Sequence, residues 1–342
     1  MSVTISGGET RVNIDSVGIV GGGAWGTALA QAMRRAGRDV VLWAREADIV
    51  GSINERHVNE TFLPGVTLDK RIRATGKLAD VATCDALLLV APAQHLRGVA
   101  KALRPSLRKA APVVICAKGI EQASGRMMGD VIATELPGAT HAALSGPSFA
   151  ADVARGLPTA LTIACADKAV GRVLAERLGG PMFRLYWTSD LVGVELGGAL
   201  KNVLAIAAGI VDGQGLGASA HAALVTRGFA EMRRFGKALG ARPETLIGLS
   251  GLGDLILTCG SPQSRNMSLG RALGRGESLS QALAGKLAVT EGVYTATAVC
   301  RIAEEKGIDM PISAAVCDVV DGRIGVKEAI EQLMQRPLKA ED

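Results

Sequence analysis

The chain has 342 residues, of which 48% are hydrophobic, 21% charged and only 3% aromatic, and its formal net charge is +5. This composition excludes a disordered or collagen-like chain. It predicts two domains with aliphatic cores rich in small residues, as parallel strands under helices require. The positive charge suits small anionic ligands. Nucleic acid is not expected, because no Lys/Arg run carries interleaved aromatics. The densest basic stretch, Arg97 to Lys109, has helical spacing and reads as a solvated face.

Residues 1–15 are polar and rich in Gly and Thr, and read as a flexible extension without the apolar core of a signal peptide. No apolar run approaches the ~18 residues of a membrane span, so a cytoplasmic protein without membrane insertion is expected. The six cysteines are scattered with no C-x-x-C spacing and read as reduced, small hydrophobic residues. The four histidines form no ligand cluster, so no metal is predicted. His95 follows a strand end and reads either as a cleft residue or as an ordinary loop histidine.

The first predicted strand, Val17–Val20, runs into Gly21-Gly22-Gly23-Ala24-Trp25-Gly26, which opens a helix over Trp25–Ala36. G-x-G-x-x-G in that position is a dinucleotide-binding fingerprint. Gly21 permits the tight turn, Gly23 lets backbone approach a pyrophosphate, and Gly26 lets helix and strand pack closely. The helix start then offers free N–H groups and a positive dipole end to the phosphates. Further strands are predicted at Asp39–Trp43, Asp85–Ala91, Pro112–Ala117, Ala142–Leu144 and Thr159–Ala164, with helices between them at His95–Leu107 and Arg126–Leu136. The alternation predicts an α/β fold, a Rossmann-type doubly wound, mostly parallel sheet. Its ligands would sit at the carboxyl ends of the strands. The elements that follow five of these strands should converge there: Gly21–Gly23, Ala44-Arg45, Pro92, Lys118-Gly119 and Ser145–Ser148.

At the end of the second strand, roughly 20 residues past the glycines, stands the position that reads the adenosine ribose. Arg45 there can clamp a 2′-phosphate and stack on adenine, whereas Glu46 suits the 2′-hydroxyl of NAD. NADP is therefore favoured over NAD on this one residue.

Beyond Thr188-Ser189-Asp190 strand alternation stops and helical periodicity takes over. The domains predicted are a Rossmann domain over 16–190 and an all-α domain over 191–342. Ser189 or Asp190 can cap a long helix from Leu191 to about Val211. Along it, Gly193, Gly197, Lys201, Ala205 and Gly209 recur at steps of four, so Lys201 is a lone cation in a stripe of small residues. Buried near a second cation, such a lysine has a lowered pKa and suits acid/base work. The alternative is a lysine snorkelling at the domain seam. Ser250-Gly251-Leu252-Gly253-Asp254 forms a glycine-rich turn ending in an acid, a candidate charge partner for Lys201. Ser264-Arg265-Asn266 then opens a helix, with Ser264 as its cap. An arginine beside a helix start fits a phosphate, or is simply part of a capped surface helix.

These blocks carry a resemblance. Gly23 to Ala30, Ala117 to Ile120, Ser145 to Ala150, Gly198 to Val203, Gly251 to Leu255, Ser264 to Asn266 and Glu291-Gly292, in this order, are similar to the bacterial NAD(P)-dependent glycerol-3-phosphate dehydrogenases. The resemblance implies interconversion of dihydroxyacetone phosphate and sn-glycerol 3-phosphate for phospholipid synthesis, by a homodimer. It implies Lys201 as the proton acceptor for the C2 hydroxyl, with Lys118 and Asp254 beside it in catalysis. Lys118, Gly146, Ser148, Asp254, Ser264, Arg265 and Asn266 would line the substrate site. Gly21, Gly23, Ala24, Trp25, Gly26, Arg45, Lys118, Ala150, Arg265, Val289 and Glu291 would touch the dinucleotide. The chain departs from the pattern at Ala24, where members also carry Ser, and at Arg45, where they also carry His. Two other readings stay open at this point: a two-domain β-hydroxy-acid dehydrogenase, and a dinucleotide-sensing module without catalysis.

Overall fold

The structure, a computed structural model, describes residues 13–284 and 290–337. Ten strands occur among them: β1 Ser16–Val20, β2 Asp39–Trp43, β3 Val58–Asn59, β4 Leu63–Thr67, β5 Arg73–Thr75, β6 Ala86–Leu89, β7 Val113–Ile115, β8 His141–Ser145, β9 Thr159–Cys165 and β10 Phe183–Thr188. Eight form one sheet in the order β10-β9-β8-β7-β6-β1-β2-β5, and β3 and β4 pair separately. All pairings in the large sheet are parallel except β8 with β9. The sheet is thus doubly wound, with its order reversing between β1 and β6. The carboxyl ends of β1, β2, β6, β7 and β8 share one edge. There the sequence had placed its turn-rich elements.

Central strands are buried on both faces, which explains their unbroken apolar runs. Val17, Ile19, Leu88 and Val114 face one core, while Val20, Leu87, Leu89, Val113 and Ile115 face the other. The pattern missed four strands: β3 and β4, which form the separate pair, and β5 and β10, which lie at the edges of the large sheet. The β10 edge carries Arg184 and the half-exposed Tyr186, so apolar alternation is weak there. At the amino end, Ile14 is fully buried; residues 1–12 of the expected loose extension lie outside the described residues.

After Thr188 every element among the described residues is helical. Asp190 caps the helix Leu191–Gly213 by accepting from Gly193 N, and also accepts from Arg242 N. By length and hydropathy this helix could cross a membrane, although no uninterrupted apolar run marks it. Its apolar window is entirely buried within the protein, as befits the core helix of the second domain. The small-residue stripe explains how neighbours reach it. A Cβ on Gly209 would fall 2.1 Å from Met267 O, and one on Gly270 would fall 2.0 Å from Ile206 O. The helix Arg265–Gly274 therefore packs backbone against backbone, which any larger residue at these two glycines would prevent.

Candidate functional site

Gly21 has φ +135° and donates its N–H to Trp43 O, fixing the turn after β1. A Cβ on Gly26 would lie 1.8 Å from Gly21 O, so the third glycine is required by the turn's own carbonyl more than by the strand. A Cβ on Gly23 would meet nothing within 4 Å. Gly23 caps the helix Ala24–Arg35 without a side chain, and Thr27 N is the first to reach back to its carbonyl. The N–H groups of Ala24, Trp25 and Gly26 thus have no intrahelical acceptor. Open space before free donors fits a pyrophosphate. Trp25 adds a buried Nε1 with no acceptor among the described residues. Asn59, which the sequence gave no reason to single out, is fully buried and donates to Gly22 O and Thr27 Oγ1, each at 2.8 Å. It fastens the glycine loop to the β3–β4 hairpin.

Arg45 stands past β2, its side chain 80% exposed and paired with Glu46 at 2.9 Å. His95 is exposed at the end of the short turn Ala93–His95. Arg97, expected on a solvated face, is half-buried and ion-paired to Glu121 and Glu135.

The sheet and the helical domain meet at two adjacent glycines. A Cβ on Gly197 would lie 2.4 Å from Ser250 O, and one on Gly198 would lie 2.7 Å from Ser145 Oγ and 3.3 Å from Lys118 Cγ. One glycine admits the turn that carries Asp254, and the other admits the ends of β7 and β8. Gly251 is constrained likewise, since its Cβ would fall 2.0 Å from Leu246 O. Lys201, one turn beyond Gly197, consequently reaches Asp254.

Lys201 Nζ donates to Asp254 Oδ1 at 2.5 Å and to Thr258 Oγ1 at 3.0 Å. Lys118 Nζ donates to Asp254 Oδ2 at 2.7 Å and to Gly146 O at 3.2 Å. One fully buried carboxylate therefore holds two ammonium groups, one from each domain. The pKa of Lys201 is lowered to about 8. Burial is the largest cause and the charge of Lys118 adds to it, while Asp254 opposes both. The repulsion expected from Lys118 is thus real but secondary. Thr258 was missed, although its spacing of four from Asp254 on the helix Asp254–Gly260 was a readable signal.

Ser148 Oγ donates to Gly146 O at 3.2 Å, and Gly146 has φ +148°. Ala150 begins the helix Ala150–Arg155 and packs with the core that flanks the glycine loop's helix. Ser264 caps Arg265–Gly274 by accepting from Met267 N. Arg265, just inside, has no hydrogen bond or ion pair among the described residues. Burial lowers its pKa and Glu291 opposes this. Asn266 Nδ2 donates to Asn202 Oδ1 and its Oδ1 accepts from Gly292 N, so this side chain ties three helices together. Glu291 Oε1 accepts from Ala93 N at 3.0 Å, and its buried Oε2 has no donor among the described residues. Burial raises its pKa, against the Ala93 N–H and the charge of Arg265. Val289 lies outside the described residues.

The fold accords with what the chain is similar to. The profile described as NAD-dependent glycerol-3-phosphate dehydrogenase N-terminus matches residues 16–171, and that described as its C-terminus matches residues 190–331. A glycerol-3-phosphate dehydrogenase [NAD(P)+] of Caulobacter vibrioides is 57% identical over 330 residues, 96% of this chain and 100% of that one. One of Parvibaculum lavamentivorans is 57% identical over 325 residues, 95% of this chain and 98% of that one. The crystal structure of glycerol-3-phosphate dehydrogenase from Coxiella burnetii superposes with a TM-score of 0.90 at 37% identity, covering 94% of this chain and 99% of that one.

Proposed function

We propose a lysine-centred mechanism for this chain, which belongs to the NAD-dependent glycerol-3-phosphate dehydrogenase family and is an NAD(P)-dependent oxidoreductase of glycerol 3-phosphate and dihydroxyacetone phosphate. Membership across both halves sets aside the hydroxy-acid dehydrogenase and the sensing module. The observation that carries the mechanism is the shared carboxylate: Asp254 holds Lys201 and Lys118 side by side at the domain seam.

The glycine loop, Trp25, Ala150 and Glu291 would hold the dinucleotide, with Val289 as a further contact. The nicotinamide supplies or takes the hydride at substrate C2. Lys201 handles the proton at the C2 oxygen. With a pKa of about 8, it has an accessible neutral form to accept the hydroxyl proton in oxidation and an ammonium form to donate it in reduction. Lys118 places a second positive charge beside that oxygen in a water-poor cleft, where developing negative charge is best stabilised. Asp254 fixes the positions of both ammonium groups, and Thr258 restricts the Lys201 Nζ further. Arg265, Ser264 and the start of their helix would take the phosphate, with Gly146, Ser148 and Asn266 lining the same side. Binding of the remote phosphate would then orient C2.

The finer readings rest on the resemblance and on Arg45. They are a preference for NADP, a cytoplasmic homodimer, a boundary between domains at Asp190, and supply of glycerol phosphate to phospholipid synthesis. The Arg45–Glu46 pair is exposed, and such pairs are worth about 0–1 kcal/mol, so a 2′-phosphate can displace Glu46 at little cost. The test is oxidation of NADH and NADPH, side by side, with dihydroxyacetone phosphate and with a panel of keto acids. Turnover confined to dihydroxyacetone phosphate is expected; equal turnover of a keto acid would overturn the reading.

A further inference from the structure

The peptide between Gly22 and Gly23 is the part of the glycine loop with least restraint of its own. Neither residue has a Cβ, so the sterics that hold other peptides in one orientation are missing on both sides. The same lack of side chains lets the loop work: space is open at Gly23, and a Cβ on Gly22 would fall 2.5 Å from Ala44 Cβ. Gly23 N has no acceptor among the described residues. Its aim must therefore be set from outside the loop. Asn59, fully buried on β3, reaches in from there. Its Nδ2 donates to Gly22 O and to Thr27 Oγ1 at 2.8 Å each, and Thr27 Oγ1 donates to Gly22 O at 3.4 Å. Its Oδ1 accepts from Phe62 N at 3.3 Å, which decides that the NH2 end of the amide faces the loop. The hairpin behind it is firmly seated. Leu63 and Val66 are buried in the core that includes Leu29 and Met33. Gln31 donates to Thr67 O at 3.3 Å and accepts from Asp69 N at 2.7 Å.

We propose that Asn59 is a positioning residue for the dinucleotide: it presets the Gly22–Gly23 peptide so that the Gly23 N–H meets the pyrophosphate without rearrangement. This rests on the reading of the glycine loop as the pyrophosphate cradle. The carbonyl of Gly22 and the N–H of Gly23 belong to one planar trans peptide and point opposite ways. Holding the carbonyl to the hairpin turns the N–H away from it. Asn59 itself, buried behind the loop, acts through Gly22 and not on the ligand. A loop ordered before binding has less freedom to lose when the ligand arrives, so Asn59 acts on dinucleotide affinity. It has no part in the chemistry at Lys201. NADH and NADPH share the pyrophosphate, so Asn59 should serve both alike, in contrast to Arg45.

The test measures NADH and NADPH binding to the full chain by nucleotide fluorescence, with steady-state kinetics alongside. Asn59→Leu keeps the bulk of the side chain and removes both donors. Its Kd for NADH and for NADPH should rise by the same factor, about tenfold or more, because a buried carbonyl is left without its donor. KM for dihydroxyacetone phosphate and kcat at saturating NADH should not change. Asn59→Asp keeps the acceptor for Phe62 N and serves if the leucine variant fails to fold. Its carboxyl can donate to Gly22 O only when protonated, so its binding deficit should shrink as pH is lowered. Gln31→Leu cuts the other tie to the hairpin; it should lower Tm and leave both Kd values as in the parent. Unaltered nucleotide binding in the Asn59 variants, a loss confined to one nucleotide, or an equal loss in Gln31→Leu would overturn the proposal. Gly26→Ala tells this failure from that of the cradle. If it loses NADH while the Asn59 variants bind normally, the cradle stands and the role of Asn59 falls; if it too binds normally, both fall.

Discussion

Replacing Lys201 by methionine separates the chemistry of this residue from its structural cost. Methionine matches the lysine stem in length and leaves Asp254 still paired with Lys118 at 2.7 Å. Loss of a positioned acid/base typically costs about 10²–10⁴ in rate, so turnover with dihydroxyacetone phosphate should fall by that factor while dinucleotide affinity holds. Stability should move the other way. Lys201 has a pKa near 8 when folded, against an ordinary value of 10.5. That difference corresponds to about 3 kcal/mol against keeping the ammonium buried. The penalty is fully present below pH 8, where folded and unfolded chains both carry the proton. It fades between about 8 and 10.5, where the unfolded chain alone retains it. Lys201→Met should therefore match or exceed the parent in stability at pH 7, by at most about 3 kcal/mol, and this advantage should shrink as pH rises through that window. Urea denaturation from pH 7 to 10 and steady-state kinetics read the two effects independently. Near-normal turnover would refute the acid/base role, and a stability difference flat across pH would refute the assigned cause.

Four further outcomes are expected. Asp254→Asn leaves the buried Lys201 ammonium and the partly buried Lys118 ammonium without their counter-charge, a kind of change that costs about 3–5 kcal/mol for a fully buried pair. Because Asp254 raises the Lys201 pKa, the pH–rate profile for glycerol phosphate oxidation should also shift to lower pH, and an unmoved profile would contradict the pairing. Arg265→Ala should raise KM for dihydroxyacetone phosphate by about 10–100-fold, the loss of a charge-assisted contact of roughly 1.5–3 kcal/mol, with an unchanged KM counting against the phosphate clamp. Gly26→Ala would put a methyl group 1.8 Å from Gly21 O, so NADH binding followed by fluorescence should be lost or the loop rebuilt. Arg45→Ala should weaken NADPH more than NADH, and equal losses in paired titrations would remove Arg45 from 2′-phosphate recognition.

Much of the fold was legible because its signals are local. The strand at Asp39–Trp43 came out residue for residue, and the start of Leu191–Gly213 was marked by its Asp190 cap. The glycine fingerprint is likewise written in six neighbouring residues whose sterics dictate the turn. What the pattern missed had no such local signal: β3 and β5 are two and three residues long, β4 carries Pro64-Gly65 in its middle, and β10 lies half-exposed at a sheet edge.

The chain alone determined which residue types were available to the site, and the resemblance of its blocks said which of them to watch. Only the tertiary structure decided that Asp254 serves two lysines, 136 and 53 residues away in sequence. Local spacing carries no information about such distant neighbours. They meet because Gly197 lets the backbone at Ser250 and Gly198 lets the side chains of Ser145 and Lys118 press on one helix turn. Burial there, more than the neighbouring charge, brings the Lys201 pKa down to about 8. The contact of Glu291 with Ala93 also exists only once these elements are packed, because desolvation and proximity are properties of the assembled interior.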